Sequence, residues 1–113
     1  MENNRKTGFE YEKTACDYLE KQGYEILRRN YRCALGEIDI IAQNGDCLVF
    51  CEVKYRKNDR MGNPLEAVDA RKQQKIRSVA LWYMKEQGIY DVPIRFDVIG
   101  ILGQEITIVK NAF

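Results

Sequence analysis

Residues 36–54 read GEIDIIAQNGDCLVFCEVK, two strand-like runs joined by Asn44-Gly45. Asn-Gly is a strong signal for a two-residue hairpin turn, because such turns need positive φ angles that these residues adopt at little cost. The segment is therefore predicted to be a β-hairpin, with strand 37–43 turning into strand 46–54. Leu48-Val49-Phe50-Cys51 is continuously apolar, as expected for a strand covered on both faces. Such a strand has no packing reason to run on into Glu52-Val53-Lys54. A buried, unpaired carboxylate costs on the order of several kcal/mol, so it needs a cation, a metal or a hydrogen-bond network beside it. Side chains two apart on a strand point the same way, which puts Glu52 with Lys54 and Glu37 with Asp39. Paired as a hairpin, the strands bring Asp39, Glu52 and Lys54 into one small volume. That geometry suits a divalent metal with an activated water, the apparatus of metal-assisted phosphodiester hydrolysis.

The rest of the chain arranges itself around this hairpin. Residues 5–22 are predicted to be helical, with Phe9, Cys16 and Leu19 recurring at three- and four-residue spacing beside Tyr11, Ala15 and Tyr18. Gly23 is placed to stop that helix. Tyr24 to Cys33 reads as a strand anchored by Tyr24, Ile26 and Leu27. After the hairpin, the polar stretch 57–64 forms a loop that ends in Pro64 and starts a second helix near Leu65. That helix runs to about Gln87 with Leu65, Val68, Ile76, Val79, Ala80 and Tyr83 on its buried side, and Gly88 closes it. Strand Val92–Ile101, a tight turn at Gly103-Gln104 and an edge strand Glu105–Val109 complete the order: helix, three strands, helix, two strands. Trp82, Tyr83 and Phe96 are assigned to the core or an interface. With no internal repeat and no linker composition, residues 1–113 are expected to form a single domain.

At 113 residues the chain can build a core without disulfides or a structural metal. No apolar run approaches the ~20 residues of a membrane span, and MENNRKTGFEYEK lacks the apolar centre of a signal peptide. A cytoplasmic protein with no membrane partner is expected. Cys47 and Cys51 sit roughly 13 Å apart on a strand, too far for a disulfide or a shared metal, so they, Cys16 and Cys33 read as reduced core thiols. Histidine is absent, which removes Ser-His-Asp triads, Cys-His dyads and histidine-bearing zinc sites together.

The net charge of +1 does not mark a nucleic-acid binder, but the bases are unevenly spread. Lys54, Arg56, Lys57 and Arg60 face the single acid Asp59. Arg71, Lys72, Lys75 and Arg77 stand without an acid between them, and Arg28, Arg29 and Arg32 surround Tyr31. One such cluster is ordinary surface decoration. Three of them, two adjoining the carboxylates in sequence, describe a phosphate-binding rim.

Asp39, twelve intervening residues and then Glu52-Val53-Lys54, on a hairpin flanked by helices, resembles the core of the PD-(D/E)XK nuclease superfamily. More narrowly, the whole chain resembles the YraN-type family of small bacterial proteins, which is related to archaeal Holliday-junction resolvases. The resemblance is carried by Gly8-x-x-x-Glu12, Asn30-Tyr31-Arg32, Gly36-Glu37-Ile38-Asp39-Ile40-Ile41-Ala42, Phe50-Cys51-Glu52-Val53-Lys54-x-Arg56, Lys72, Arg95-Phe96-Asp97-Val98 and Asn111-Ala112-Phe113. Ile38 stands where the superfamily's nominal proline would be, and Tyr55 separates Lys54 from Arg56. The fold implied is the restriction-endonuclease-like α/β fold: three layers, a central mixed β-sheet flanked by helices, in the order α-β-β-β-α-β-β.

The resemblance also implies roles. Asp39 and Glu52 would bind Mg2+ or Mn2+, with the backbone carbonyl of Val53 as a further ligand and Glu12 reaching the metal directly or through water. Lys54 would hold the attacking water and stabilise charge on the phosphoryl group. Glu37 would support the ligands from behind, although its position equally allows a salt bridge with a nearby arginine. Arg56, Lys57 and Lys72 would contact phosphates, while Asp97 is expected to pair with a neighbouring base. Two functional classes follow. One is a metal-dependent endonuclease acting on DNA, branched DNA included, in recombination or repair. The other is a nucleic-acid- or partner-binding module on a nuclease fold with little or no catalysis. So small a domain has little surface for sequence reading, so specificity would call for a homodimer or a partner.

Overall fold

Helix α1, Gly8–Lys21, leads into three consecutive strands, β1 (Glu25–Cys33), β2 (Gly36–Asn44) and β3 (Cys47–Arg56). Helix α2, Ala70–Gln87, is followed by β4 (Ile94–Leu102) and β5 (Glu105–Val109), which reproduces the expected α-β-β-β-α-β-β order. The computed structural model describes residues 8–58, 60 and 68–113. The strands form one mixed sheet in the order β1-β2-β3-β4-β5. β3 and β4 are parallel and every other neighbouring pair is antiparallel. Parallel neighbours cannot be joined by a hairpin, and α2 is the crossover between them.

The alternation along β3 shows why there are three layers. Leu48 and Phe50 pack with Ile76, Val79, Ala80 and Tyr83 of α2. Val49 and Cys51, pointing the other way, pack with Ala15, Cys16 and Leu19 of α1. A continuous apolar run is what a strand needs when helices cover both of its faces. The first residue of β2, Gly36, has φ +145, and a Cβ there would lie 3.3 Å from the Val79 methyl Cγ2. A side chain at this position would push the start of β2 away from α2.

Several sequence expectations are corrected in detail. The hairpin turn is one residue later than predicted: Asn44 still pairs with Cys47, and Gly45 and Asp46 form the loop. Gly45 at the first loop position has φ +64, as a type II′ turn requires. Helix α2 starts at Ala70 rather than near Leu65, because Asp69, in extended backbone, caps it by accepting the Lys72 N–H at 2.9 Å. Pro64 and Leu65 lie outside the described residues, as do the first residues of the predicted helix 5–22. Leu27 is 41% exposed, since the β1–β2 register slips between Ile26 and Arg28 and leaves it outside the pairing. Phe9 is also outside the core, with the Arg29 guanidinium 4.3 Å from its ring centre. Of the two expectations for Trp82, core or interface, its 45% exposure beside the buried stripe of Ile76, Val79, Ala80 and Tyr83 removes only the first. All four cysteines are free thiols.

Candidate functional site

The site begins where two strands part. β2 and β3 pair from Asn44↔Cys47 to Ile40↔Cys51. One step further, Asp39 Oδ2 accepts the Val53 N–H at 2.8 Å, so a side chain takes a donor that a continued ladder would have used. β3 itself stays fixed beyond this fork, because its pairing with β4 continues to Arg56↔Leu102. Glu52 and Lys54 therefore project from rigid backbone, on the face that α2 covers. Lys54 Nζ lies 3.3 Å from Glu52 Oε2, and Lys72 Nζ lies 2.7 Å from the same oxygen. The Asp69 cap sets this second contact, since it starts α2 so that Lys72 falls in the first turn above Glu52. From the other helix, Glu12 reaches Asp39. Glu12, Asp39, Glu52, Val53, Lys54 and Lys72 all line one open cleft of about 210 Å³. A water occupies about 30 Å³ in the liquid, so the cleft has room for a hydrated ion or a phosphate group.

Burial and crowding of like charges dominate the electrostatics. Burial, the Glu52 charge and the Glu12 charge together push the Asp39 carboxyl from 3.8 up to about 8, against the opposing pull of the Val53 N–H. Asp39 therefore holds its proton to higher pH than an ordinary carboxyl does, within hydrogen-bond reach of the Glu52 carboxylate. Burial also raises Glu12, although the Asp39 hydrogen bond, the Arg29 charge and Asn30 hold it down in part. Burial disfavours the Lys72 ammonium, but hydrogen bonding and attraction to Glu52 outweigh that and raise its pKa.

These residues fit an open cation site. Glu12 Oε1 is buried and has no hydrogen-bond partner among the described residues, an arrangement that costs free energy unless something else meets the oxygen. The Asp39 carboxyl is raised chiefly by burial and by its two acidic neighbours, despite the Lys72 ammonium nearby. Among the described residues no three His, Cys, Asp or Glu side chains are grouped so as to hold a metal ion by themselves. Mg2+ does not ask for such a group: it retains several waters and is commonly held by one or two carboxylates together with substrate phosphates.

The other predicted residues are more dispersed. Glu37 is exposed and pairs with Arg32 at 3.0 Å, reaching Glu12 only through its charge. Arg56 lies just beyond Tyr55, and its Nη1 donates to the Tyr55 carbonyl at 2.8 Å. Lys57 is exposed past the end of β3. The bases around Tyr31 are partly engaged within the protein: Arg28 lies over the Tyr31 ring, and Arg29 donates to the Phe9 carbonyl at 2.9 Å. Arg77 lies over the Phe96 and Phe113 rings. Asp97 has the expected basic partner, Arg95, with Nε–Oδ1 at 2.8 Å and Nη2–Oδ2 at 3.0 Å. Tyr24 donates to Oδ2 and the Asn111 N–H to Oδ1, so this fully buried carboxylate, in register with Cys51, is satisfied by its own partners.

Sequence reasoning missed one feature of the cleft. Tyr11 and Tyr55 stack with ring centres 3.8 Å apart and planes 19° from parallel, and both line the cleft. Burial and the Tyr55 hydroxyl push the Tyr11 hydroxyl up to about 12. The available signal was adjacency, since Tyr11 precedes Glu12 and Tyr55 follows Lys54.

Residues 11–101 match the family described as "Uncharacterised protein family UPF0102". A UPF0102 protein of Lachnoclostridium phytofermentans is 47% identical over 112 residues, covering 98% of this chain and 95% of the relative. One from Syntrophus aciditrophicus is 44% identical, covering 100% and 92%. Another, from Caldicellulosiruptor saccharolyticus, is 41% identical, covering 98% and 99%.

Proposed function

The chain belongs to the UPF0102 family, and from the geometry of its cleft we propose that it is a metal-dependent nuclease hydrolysing phosphodiester bonds of DNA, branched DNA included. The observation that carries this reading is the meeting of Asp39, Glu52 and Lys54 in one cleft, with Lys72 added from α2. Asp39 and Glu52 would hold Mg2+ or Mn2+, with Glu12 and the Val53 carbonyl as further oxygen donors. When bound, the ion would polarise a phosphoryl oxygen and acidify a water. Lys54, on the strand beside Glu52, orients that water and stabilises charge gathering on phosphorus. Lys72, whose side chain is 44% exposed, gives one ammonium donor to Glu52 and offers the others to a neighbouring phosphate oxygen. Glu37, Arg56 and Lys57 contribute charge around the rim.

A second reading draws on the charge balance of the site without metal. Glu52 Oε2 already has two lysine partners, and burial and its acidic neighbours push the Asp39 carboxyl towards its neutral form. Such a self-compensated cleft suits a module that binds nucleic acid and does not cut it. Labelled single strand, duplex, flap and four-way junction, each incubated with Mg2+ or Mn2+, separate the two. Cleavage that disappears in Glu52→Gln is the expected result. Metal-independent binding with no cleavage of any substrate overturns the nuclease and leaves the module.

A further inference from the structure

We propose that the Tyr11–Tyr55 stack is a platform for an unpaired nucleobase, which makes a nucleic-acid strand with an unstacked nucleotide at the cleft the preferred ligand. The inference rests on the reading of the cleft as a phosphate-binding site. The two rings lie nearly parallel at 3.8 Å and line the same cleft as Glu52, Lys54 and Lys72. Neither ring belongs to either core cluster, and both remain partly exposed. Two large aromatic side chains at the mouth of a charged cleft are thus not explained by packing of the core.

Their supports are rigid. Tyr55 is held in register with Ile101 of β4, and Tyr11 stands on α1 directly before Glu12. Tyr11, Tyr55, Lys54 and Lys72 line one cleft, so a phosphate held by the two lysines brings its own nucleotide beside the stack. Every nucleobase has a π-face, so such a platform accepts any sequence while refusing bases locked in a duplex. Discrimination then falls between paired and unpaired strands, the distinction that matters at flaps and branch points. A stack that merely ties α1 to β3 would have no such preference.

The test measures binding in EDTA, so cleavage plays no part. Fluorescent oligonucleotides carrying 2-aminopurine in a single-stranded gap, and the same sequence fully paired, are titrated with wild type, Tyr55→Leu, Tyr55→Phe and Tyr11→Leu. The expected result is a loss of about 5- to 150-fold for the gapped strand in both leucine variants, with little change for the duplex. Tyr55→Phe should keep wild-type affinity and quench 2-aminopurine as wild type does. Circular dichroism checks folding, and the two leucine variants lie on different elements, so a single misfolded variant does not decide the outcome. Equal losses on both ligands, or none on either, overturn the platform while leaving the phosphate site standing. A wild type that binds neither ligand at low salt overturns both, whereas stack-dependent binding by a protein that never cleaves overturns only the nuclease.

Discussion

Asp39 and Val53 are joined by a 2.8 Å hydrogen bond at the point where β2 and β3 separate. The carboxylate thereby does two things. It satisfies a strand N–H that the interrupted ladder has released, and it fixes its own orientation beside Glu52. One residue thus couples the geometry of the hairpin to the charge of the cleft.

Asp39→Asn and Asp39→Ala should separate those two contributions. Asparagine keeps an oxygen that can accept the Val53 N–H, so the fold should hold while metal affinity collapses with the lost charge. Alanine leaves the N–H without its partner and should cost about 1–3 kcal/mol. Urea denaturation beside calorimetric metal titration tests both. If alanine is as stable as asparagine, the bond contributes nothing to the fold.

The pH dependence follows from the raised Asp39 carboxyl. Its pKa is about 8 in the folded chain against the ordinary 3.8, so between these values the native state holds a proton that the unfolded state has released. Stability from this group is therefore fully present below about pH 4 and is lost as pH rises towards about 8. The metal-free protein should melt progressively lower across that window, and Asp39→Asn should flatten the slope. Binding of Mg2+ below pH 8 should release about one proton, visible as a buffer-dependent heat.

At the other end of the hairpin strand, Arg95→Leu should be costly in a different way. Asp97 is fully buried, and Arg95 supplies its only charged partner among the described ion pairs. Removing one member of such a pair typically costs about 3–5 kcal/mol. Arg95 is in register with Val49, well before Lys54 on β3, so metal titration of the folded variant should match wild type. A variant with unchanged denaturation midpoint would show that Tyr24 and Asn111 suffice.

Much of this was legible in the sequence because periodicity and turn chemistry are local signals. The apolar run 48–51 announced a strand covered on both faces, and the interruption at Glu52 marked the site. What was not legible depended on tertiary placement. Trp82 and Phe9 share the apolar character of core residues, and only the phase of each helix against the sheet decides that they stay outside. The start of α2 was misplaced because Pro64 is a strong helix opener, whereas the cap that operates is Asp69. Lys72 was expected as a phosphate contact, and its 2.7 Å pairing with Glu52 depends on where that cap starts the helix. The Tyr11–Tyr55 stack joins residues far apart in the chain, and no spacing rule connects them.

Nucleic-acid affinity should fall steeply with salt, because Lys72, Arg56 and Lys57 offer phosphate contacts, which carry no sequence information. Charge removal at Arg56 or Lys72 should weaken all paired substrates alike and lower the slope of log affinity against log salt by about one per contact. Fluorescence anisotropy over a salt series measures this. Binding that is indifferent to salt would contradict an electrostatic rim.

Finally, Lys54 and Glu52 should fail differently although they touch at 3.3 Å. Glu52→Gln removes a carboxylate that, in the proposed site, would face the cation, and should abolish metal binding and cleavage together. Lys54→Ala removes no ligand, so metal titration should stay close to wild type. Glu52 also keeps its shorter contact to Lys72, which leaves the buried carboxylate paired in the variant. Cleavage is another matter, since the lost ammonium both orients water and meets charge that develops only as phosphorus is attacked. Losing one such group typically lowers the rate by about 10²–10³. Single-turnover cleavage at saturating metal, run beside the calorimetric titration, reads the two effects separately. Normal cleavage by Lys54→Ala would remove the lysine from the mechanism, and wild-type metal binding by Glu52→Gln would remove the metal site itself.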